Sequence, residues 1–187
     1  MNDVSNGAPM QVRLGGFGGQ GIVLAATLLG KAACLYDGKE AVFTQAYGPE
    51  ARGGASRADI IIGDEPVDYP YVTEPDVLAV LFQEAYVNFG GLVKPGGILI
   101  IDEDLVQADE DAKYTPLKLP ATRIAEELGN RIVTNVVLLG FIVGQTGVVS
   151  REAAEQAIRS TVKEKAVELN LRAFDAGFSY AAPTGGR

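Results

Sequence analysis

The chain has 187 residues, 47% of them hydrophobic, and a formal net charge of −8. That size suits a compact domain able to bury a sizeable core, and the acidic balance excludes nucleic-acid binding by a basic face. With one cysteine, Cys34, and no histidine, the chain alone cannot build an iron–sulfur cluster, a Cys/His zinc site, a disulfide or a His-based triad, and no metal site is expected.

Residues 1–9 are polar, without the basic and apolar regions of a secretory signal. No apolar stretch free of charge and glycine is long enough to span a bilayer, so a cytoplasmic location is expected. The apolar segment at 12–14 then breaks into a G-x-G-x-x-G loop, with Gly16, Gly18 and Gly21 at the signature positions, and resumes as a helix over 22–36. That helix places Ile22, Leu24, Ala25, Leu28, Leu29, Ala32 and Leu35 on an apolar face. Cys34, within an apolar run, reads as a buried structural thiol.

Strands are predicted at 40–45 and 56–62, joined by a loop holding Tyr47, Glu50, Arg52, Gly53 and Gly54. The proline-rich stretch 63–75 is irregular. Continuous apolar runs at 77–82 and 98–101 suit central strands covered on both faces, with a short helix at 84–92 between them. A strand near 114–119 follows, then helices at 121–128, 132–145, 151–168 and 169–177, with Ser150 as an N-cap. The helix at 132–145 is apolar nearly all round and should be buried, with Asn135 in need of a hydrogen-bond partner. Residues 181–187 read as a mobile tail. This alternation predicts an α/β, three-layer Rossmann-like domain with a largely parallel sheet and a helical C-terminal portion, spanning 10–178 between flexible termini.

The glycine loop is the first candidate site. Strand before and helix after are the context a phosphate-binding turn requires, since the free N–H groups and dipole of the helix favour an anion. An NAD site would add an acidic residue at the end of the second strand, where Phe43, Thr44 and Gln45 stand instead. The second candidate is the loop with Arg52, whose guanidinium supplies a bidentate positive charge, flanked by Gly53 and Gly54. In a parallel sheet it would share the carboxyl edge with the glycine loop. Asp102, Glu103 and Asp104 read as a solvated loop or a helix cap rather than a cation site.

The glycine loop 15–21, the sequence Tyr47-Gly48-Pro49-Glu50-Ala51-Arg52-Gly53-Gly54, the segment 75–78 and the run 96–102 together resemble the gamma subunit of 2-oxoacid:ferredoxin oxidoreductases. The Tyr-Gly-Pro-Glu-x-Arg-Gly-Gly form is most similar to 2-oxoglutarate enzymes. The resemblance implies a complex that oxidatively decarboxylates a 2-oxoacid to acyl-coenzyme A and CO2 and reduces ferredoxin. Thiamine pyrophosphate, Mg and [4Fe-4S] clusters would reside in partner alpha and beta subunits, with a delta subunit in some assemblies. The gamma component is implicated in the coenzyme A step, so coenzyme A is the candidate ligand at this subunit within the complex; no cofactor is assigned to the chain alone, which would be inert. On this basis Gly16, Gly18, Gly19, Gln20 and Gly21 are expected to form a ligand- or partner-facing turn, with Tyr47, Glu50, Arg52, Gly53 and Gly54 opposite. No catalytic residue is assigned. The competing readings are an NAD(P)-dependent dehydrogenase and a stand-alone nucleotide- or coenzyme-A-binding regulatory module.

Overall fold

A computed structural model describes residues 8–46, 55–109 and 114–181. Among these, strands β1 (Met10–Phe17), β2 (Glu40–Ala46), β3 (Ala55–Gly63), β4 (Val77–Val80), β5 (Ile98–Asp102) and β6 (Leu117–Leu119) form one sheet in the order β2-β3-β1-β4-β5-β6. β1, β4, β5 and β6 run parallel, whereas β3 is antiparallel to both β1 and β2. The α/β class and the mostly parallel sheet agree with the sequence expectation. β3 is the departure: residues 47–54 are fewer than the roughly a dozen that a parallel crossover needs, so β3 must return against β2. Because β2 and β3 both reverse, β2 still points the same way as β1.

The helices are α1 (Ile22–Lys31), α2 (Gln83–Phe89), α3 (Ala121–Glu127), α4 (Thr134–Thr146), α5 (Arg151–Thr161) and α6 (Glu164–Ala181). One sheet face, with Val12, Leu14, Ile60 and Ile100, packs into the main core with α1, α3, α4, α5 and α6. The other face buries Leu78, Val80, Leu99 and Ile101 under Ala85 and Tyr86 of α2. Side-chain alternation along each strand delivers the two faces to separate cores.

α1 continues as one π-helical turn, Ala32–Tyr36. Cys34 and Leu35 are exposed there, which corrects their placement as a buried thiol and a core residue. The π turn widens the helical repeat, so side chains past Ala33 lose the register that buries Ala32 and Ala33.

α4 is buried from Thr134 to Val143, as its all-round apolarity predicts. It lies against α1, α3 and α6. Its meeting with α6 is close enough for backbones to touch: a Cβ added to Gly140 would lie 2.1 Å from the Phe174 carbonyl oxygen, and one on Gly177 1.9 Å from that of Val137.

Ser150 caps α5 as expected, its hydroxyl accepting from the Ala153 N–H at 3.1 Å. The same hydroxyl and the Ser150 N–H donate to the Asp37 carboxylate, fixing the end of the π turn. The helix expected over 151–168 instead stops at Thr161 and restarts at Glu164, because Val162 is extended, with ψ of 156°. The weak helix formers Ser160, Thr161 and Val162 make this the cheapest place to break. α6 then runs without interruption through the second predicted boundary to Ala181. Among the described residues no helix is long and apolar enough to cross a membrane.

Below α2, Arg13 of β1 and Asp59 of β3 stand directly opposite each other, and both are buried. The guanidinium donates to both carboxylate oxygens at 2.7 and 2.8 Å and to the Val72 carbonyl at 2.6 Å. Its charge also lies 5.6 Å from the centroid of the Phe89 ring.

Candidate functional site

β1 and β4 are adjacent parallel strands, but the helices that follow them depart to opposite faces, α1 to the main core and α2 to the smaller one. This is a topological switch point, where the diverging loops leave a crevice beyond the carboxyl ends of the strands. A crevice of about 730 Å³ opens there. Phe17, Gly18, Gly19 and Gln20 after β1 form one wall, and Leu81, Phe82 and Gln83 after β4 another. Leu105 after β5, Thr122 of α3 and the segment Arg131, Ile132 and Thr134 before and at the start of α4 complete it. The Phe17 and Phe82 rings lie 5.6 Å apart, and Phe17 and Ile132 leave apolar surface in solvent, 40% and 73% exposed.

The turn itself is held by the Gln20 N–H donating to the Phe17 carbonyl at 3.0 Å. Its left-handed positions are Gly19, at φ 102°, and Gly21, at φ 73°. Gly18 has neither a positive φ nor a close neighbour, so conformational necessity falls on Gly19 and Gly21 instead. Gly16 has a different constraint, since a Cβ there would lie 2.8 Å from Ile22 and 2.9 Å from the Gln20 side-chain oxygen.

Gly21 is the N-cap of α1 and supplies no capping side chain. Its carbonyl accepts from the buried Asn135 Nδ2 at 3.0 Å, which gives Asn135 the partner its burial demands. A Cβ on Gly21 would come within 2.6 Å of that amide. Gly21→Ala is therefore expected to cost about 1–3 kcal/mol through left-handed strain and displacement of Asn135. Urea melts of the two chains check this, with Gly18→Ala expected to stay within about 0.5 kcal/mol of the parent.

Tyr47, Glu50, Arg52, Gly53 and Gly54 lie outside the described residues. The strand ends that flank them do not: Ala46 pairs with Arg57, Arg57 with Gly15, and Ala55 with Phe17. The loop thus leaves and rejoins the sheet at the edge where the glycine turn sits. Between β2 and β1, however, stands β3. A dinucleotide site has the second strand beside the first, with its terminal carboxylate on the ribose. Here β2 is one strand too far and ends in Thr44, Gln45 and Ala46, so the NAD geometry is missing as well as its acidic residue.

Asp102 caps a helix from outside it. Buried at the end of β5, its Oδ2 accepts from the Thr122 N–H and hydroxyl at 2.9 and 2.7 Å, and its Oδ1 from the Asp104 N–H at 3.0 Å. This satisfies an otherwise unpaired donor of the first turn of α3 and fixes Thr122 at the crevice. Sequence reasoning missed the wall built by Leu81, Phe82, Arg131, Ile132 and Thr134. One signal for it is present, the exposed Ile132 next to Asn130, whose side chain accepts from the Ile132 N–H at 3.0 Å.

An α/β protein with a largely apolar crevice at its switch point, bordered by a glycine turn, is built to take an extended ligand or a partner segment. The chain belongs to the pyruvate ferredoxin/flavodoxin oxidoreductase family, which matches residues 11–180. It is 50% identical over 174 residues to a 2-oxoglutarate synthase subunit KorC of Methanocaldococcus jannaschii, covering 91% of this chain and 93% of the relative. Among solved structures it is similar to the gamma subunit of a keto/oxoacid ferredoxin oxidoreductase from Geobacter sulfurreducens, at 44% identity and a TM-score of 0.83, covering 92% and 98% of the two chains. The fold recurs, at 22% identity and a TM-score of 0.83, in a 2-oxoglutarate:ferredoxin oxidoreductase from Magnetococcus marinus solved with 2-oxoglutarate, coenzyme A and succinyl-CoA. That match covers 93% of this chain and 31% of the larger one. The gamma-subunit resemblance drawn from the motifs is borne out, and the chain is a subunit of a 2-oxoacid:ferredoxin oxidoreductase.

Proposed function

We propose that this chain serves a 2-oxoglutarate:ferredoxin oxidoreductase by completing its coenzyme A site, with no catalysis of its own when isolated. Thiamine pyrophosphate, Mg and [4Fe-4S] clusters belong to alpha and beta partners, and ferredoxin is reached through the complex. Residues 10–178 act as the working unit.

The observation that carries the coenzyme A reading is the crevice. Its lining surface is mostly apolar, from Phe17, Leu81, Phe82, Leu105 and Ile132 and the carbon atoms of their neighbours, with the backbone of Gly18 and Gly19 exposed between them, which suits a pantetheine-like arm. Arg131 at the mouth is exposed, with one long ion pair among the described residues, to Glu126 at 3.9 Å, and can reach an anion. In an acidic chain a local cation is what makes a phosphate-bearing ligand acceptable. Gly16, Gly18, Gly19, Gln20 and Gly21 shape this turn, and Tyr47, Glu50, Arg52, Gly53 and Gly54 are assigned to the facing loop. Arg52 is assigned to an anion, either a coenzyme A phosphate or a carboxylate of the adjoining subunit.

The test is purification from the native host followed by a coenzyme-A-dependent viologen-reduction assay with several 2-oxoacids. Larger thiamine- and cluster-binding proteins should co-purify, and 2-oxoglutarate should be the best substrate. Recovery of the free chain alone would count against the proposal. In the reconstituted complex, Arg52→Ala should leave the chain folded and impair coenzyme-A-dependent turnover or assembly by the equivalent of about 2–5 kcal/mol. Wild-type turnover together with wild-type assembly removes Arg52 from the site.

A further inference from the structure

The Gln20 carboxamide is engaged by backbone at both ends. Its Oε1 accepts from the Phe17 N–H at 2.6 Å, and its Nε2 donates to the Leu81 carbonyl at 2.9 Å. Leu81 in turn donates its N–H to the Gly15 carbonyl at 3.0 Å. The side chain therefore straps the segment after β1 to the segment after β4, two neighbouring segments that both line the crevice. Gly16 keeps the space for the strap, since a Cβ there would meet the Gln20 oxygen at 2.9 Å.

The chemistry of the strap is specific to an amide. One end must accept from an N–H and the other must donate to a carbonyl, and a neutral carboxamide does both. An ionised carboxylate of the same length can only accept, so it would face the Leu81 carbonyl without a proton between them. A methyl group would leave both backbone groups without their partner.

We propose that Gln20 is a positioning residue that fixes how the segments after β1 and β4 sit against each other at the crevice, and thereby the affinity for coenzyme A. The proposal rests on the coenzyme A reading above. It also assigns the glutamine of the glycine turn a task that differs from that of the glycines around it, which free the backbone rather than fix a placement.

The experiment uses the reconstituted complex carrying wild-type chain, Gln20→Glu or Gln20→Ala. KM for coenzyme A, KM for 2-oxoglutarate and kcat are measured by viologen reduction. Amide hydrogen exchange is followed with and without coenzyme A. Wild type should show protection at residues 17–20 and 81–83 when coenzyme A is added. Both variants should raise KM for coenzyme A about 10-fold, as the segments lining the crevice lose their preorganisation. KM for 2-oxoglutarate and kcat at saturating coenzyme A should stay within about twofold of wild type, a split that general destabilisation does not produce. Absence of protection in wild type defeats the coenzyme A reading itself. Protection in wild type with an unchanged KM for coenzyme A in the variants, or a fall in kcat alone, overturns the positioning role. Gln20→Glu keeps the shape of the side chain and decides the matter where Gln20→Ala does not assemble.

Discussion

Gly177→Ala is expected to destabilise the chain by about 3 kcal/mol or more, at or above the upper end of what added methyl groups cost in packed interiors. The added Cβ would sit 1.9 Å from the Val137 carbonyl oxygen and 2.8 Å from its carbon. No rotamer relieves such a contact, because the position of a Cβ is fixed by its own backbone and the atoms it meets are backbone too. The reciprocal substitution Gly140→Ala meets the carbonyl of Phe174 in the same way, so α4 and α6 would have to separate. Separation also uncovers Phe174, which is fully buried. A helix of this chain would ordinarily gain about 1 kcal/mol from replacing an interior glycine by alanine, so a loss also reverses the sign that helix propensity predicts. Thermal melts followed by circular dichroism should show Tm lowered by roughly 6–12 °C. A Tm at or above the parent value would mean that the helices do not cross this closely.

The second large effect belongs to the ion pair beneath α2. Asp59→Ala leaves the Arg13 guanidinium, 2% exposed, without its carboxylate. Removing one partner of a buried pair costs about 3–5 kcal/mol, since the remaining charge has neither water nor counter-ion. Arg57 cannot take over, because it is itself a cation, 3.7 Å from the Asp59 carboxylate. The double variant Arg13→Met with Asp59→Leu should recover most of the loss, because the desolvation of two charges disappears with them. Chemical denaturation of Arg13→Met, Asp59→Leu and the double variant forms a cycle that reads the coupling. Additive losses would show that the pair has no special coupling.

Both effects were poorly visible in the sequence, for different reasons. The spacing of Gly140 and Gly144, and of Ala173, Gly177 and Ala181, places small residues on one side of each helix, but nothing local says which helix faces which. Arg13 and Asp59 are 46 residues apart in sequence, and only the antiparallel register of β1 and β3 brings them opposite. What was legible followed from period and punctuation. The apolar runs of β4 and β5, the all-round apolarity of α4 and the Ser150 cap are each determined by a few neighbouring residues. The reversed β3 was also within reach, because the connection over 47–54 is too short for a crossover. Cys34 was misread because the π turn shifts register without any change in composition.

At the site, the glycine signature identified the wall after β1, since turn chemistry is local. The wall at Leu81 and Phe82, and the cover from Arg131 to Thr134, depend on which helix passes to which face, a property of the whole sheet. The motif places Gln20 in the turn, but one of its two bonds to backbone depends on Leu81, which is distant in sequence.

The reversed strand has a consequence for how the subunit can diversify. Residues 47–54 join two neighbouring strands at the margin of the sheet, whereas the glycine turn feeds the crossover through α1. Lengthening or shortening the former alters neither the register of β1 against β4 nor the entry of α1. The two halves of the edge are thus separately adjustable: one can be retuned for a new neighbour while the other keeps its shape.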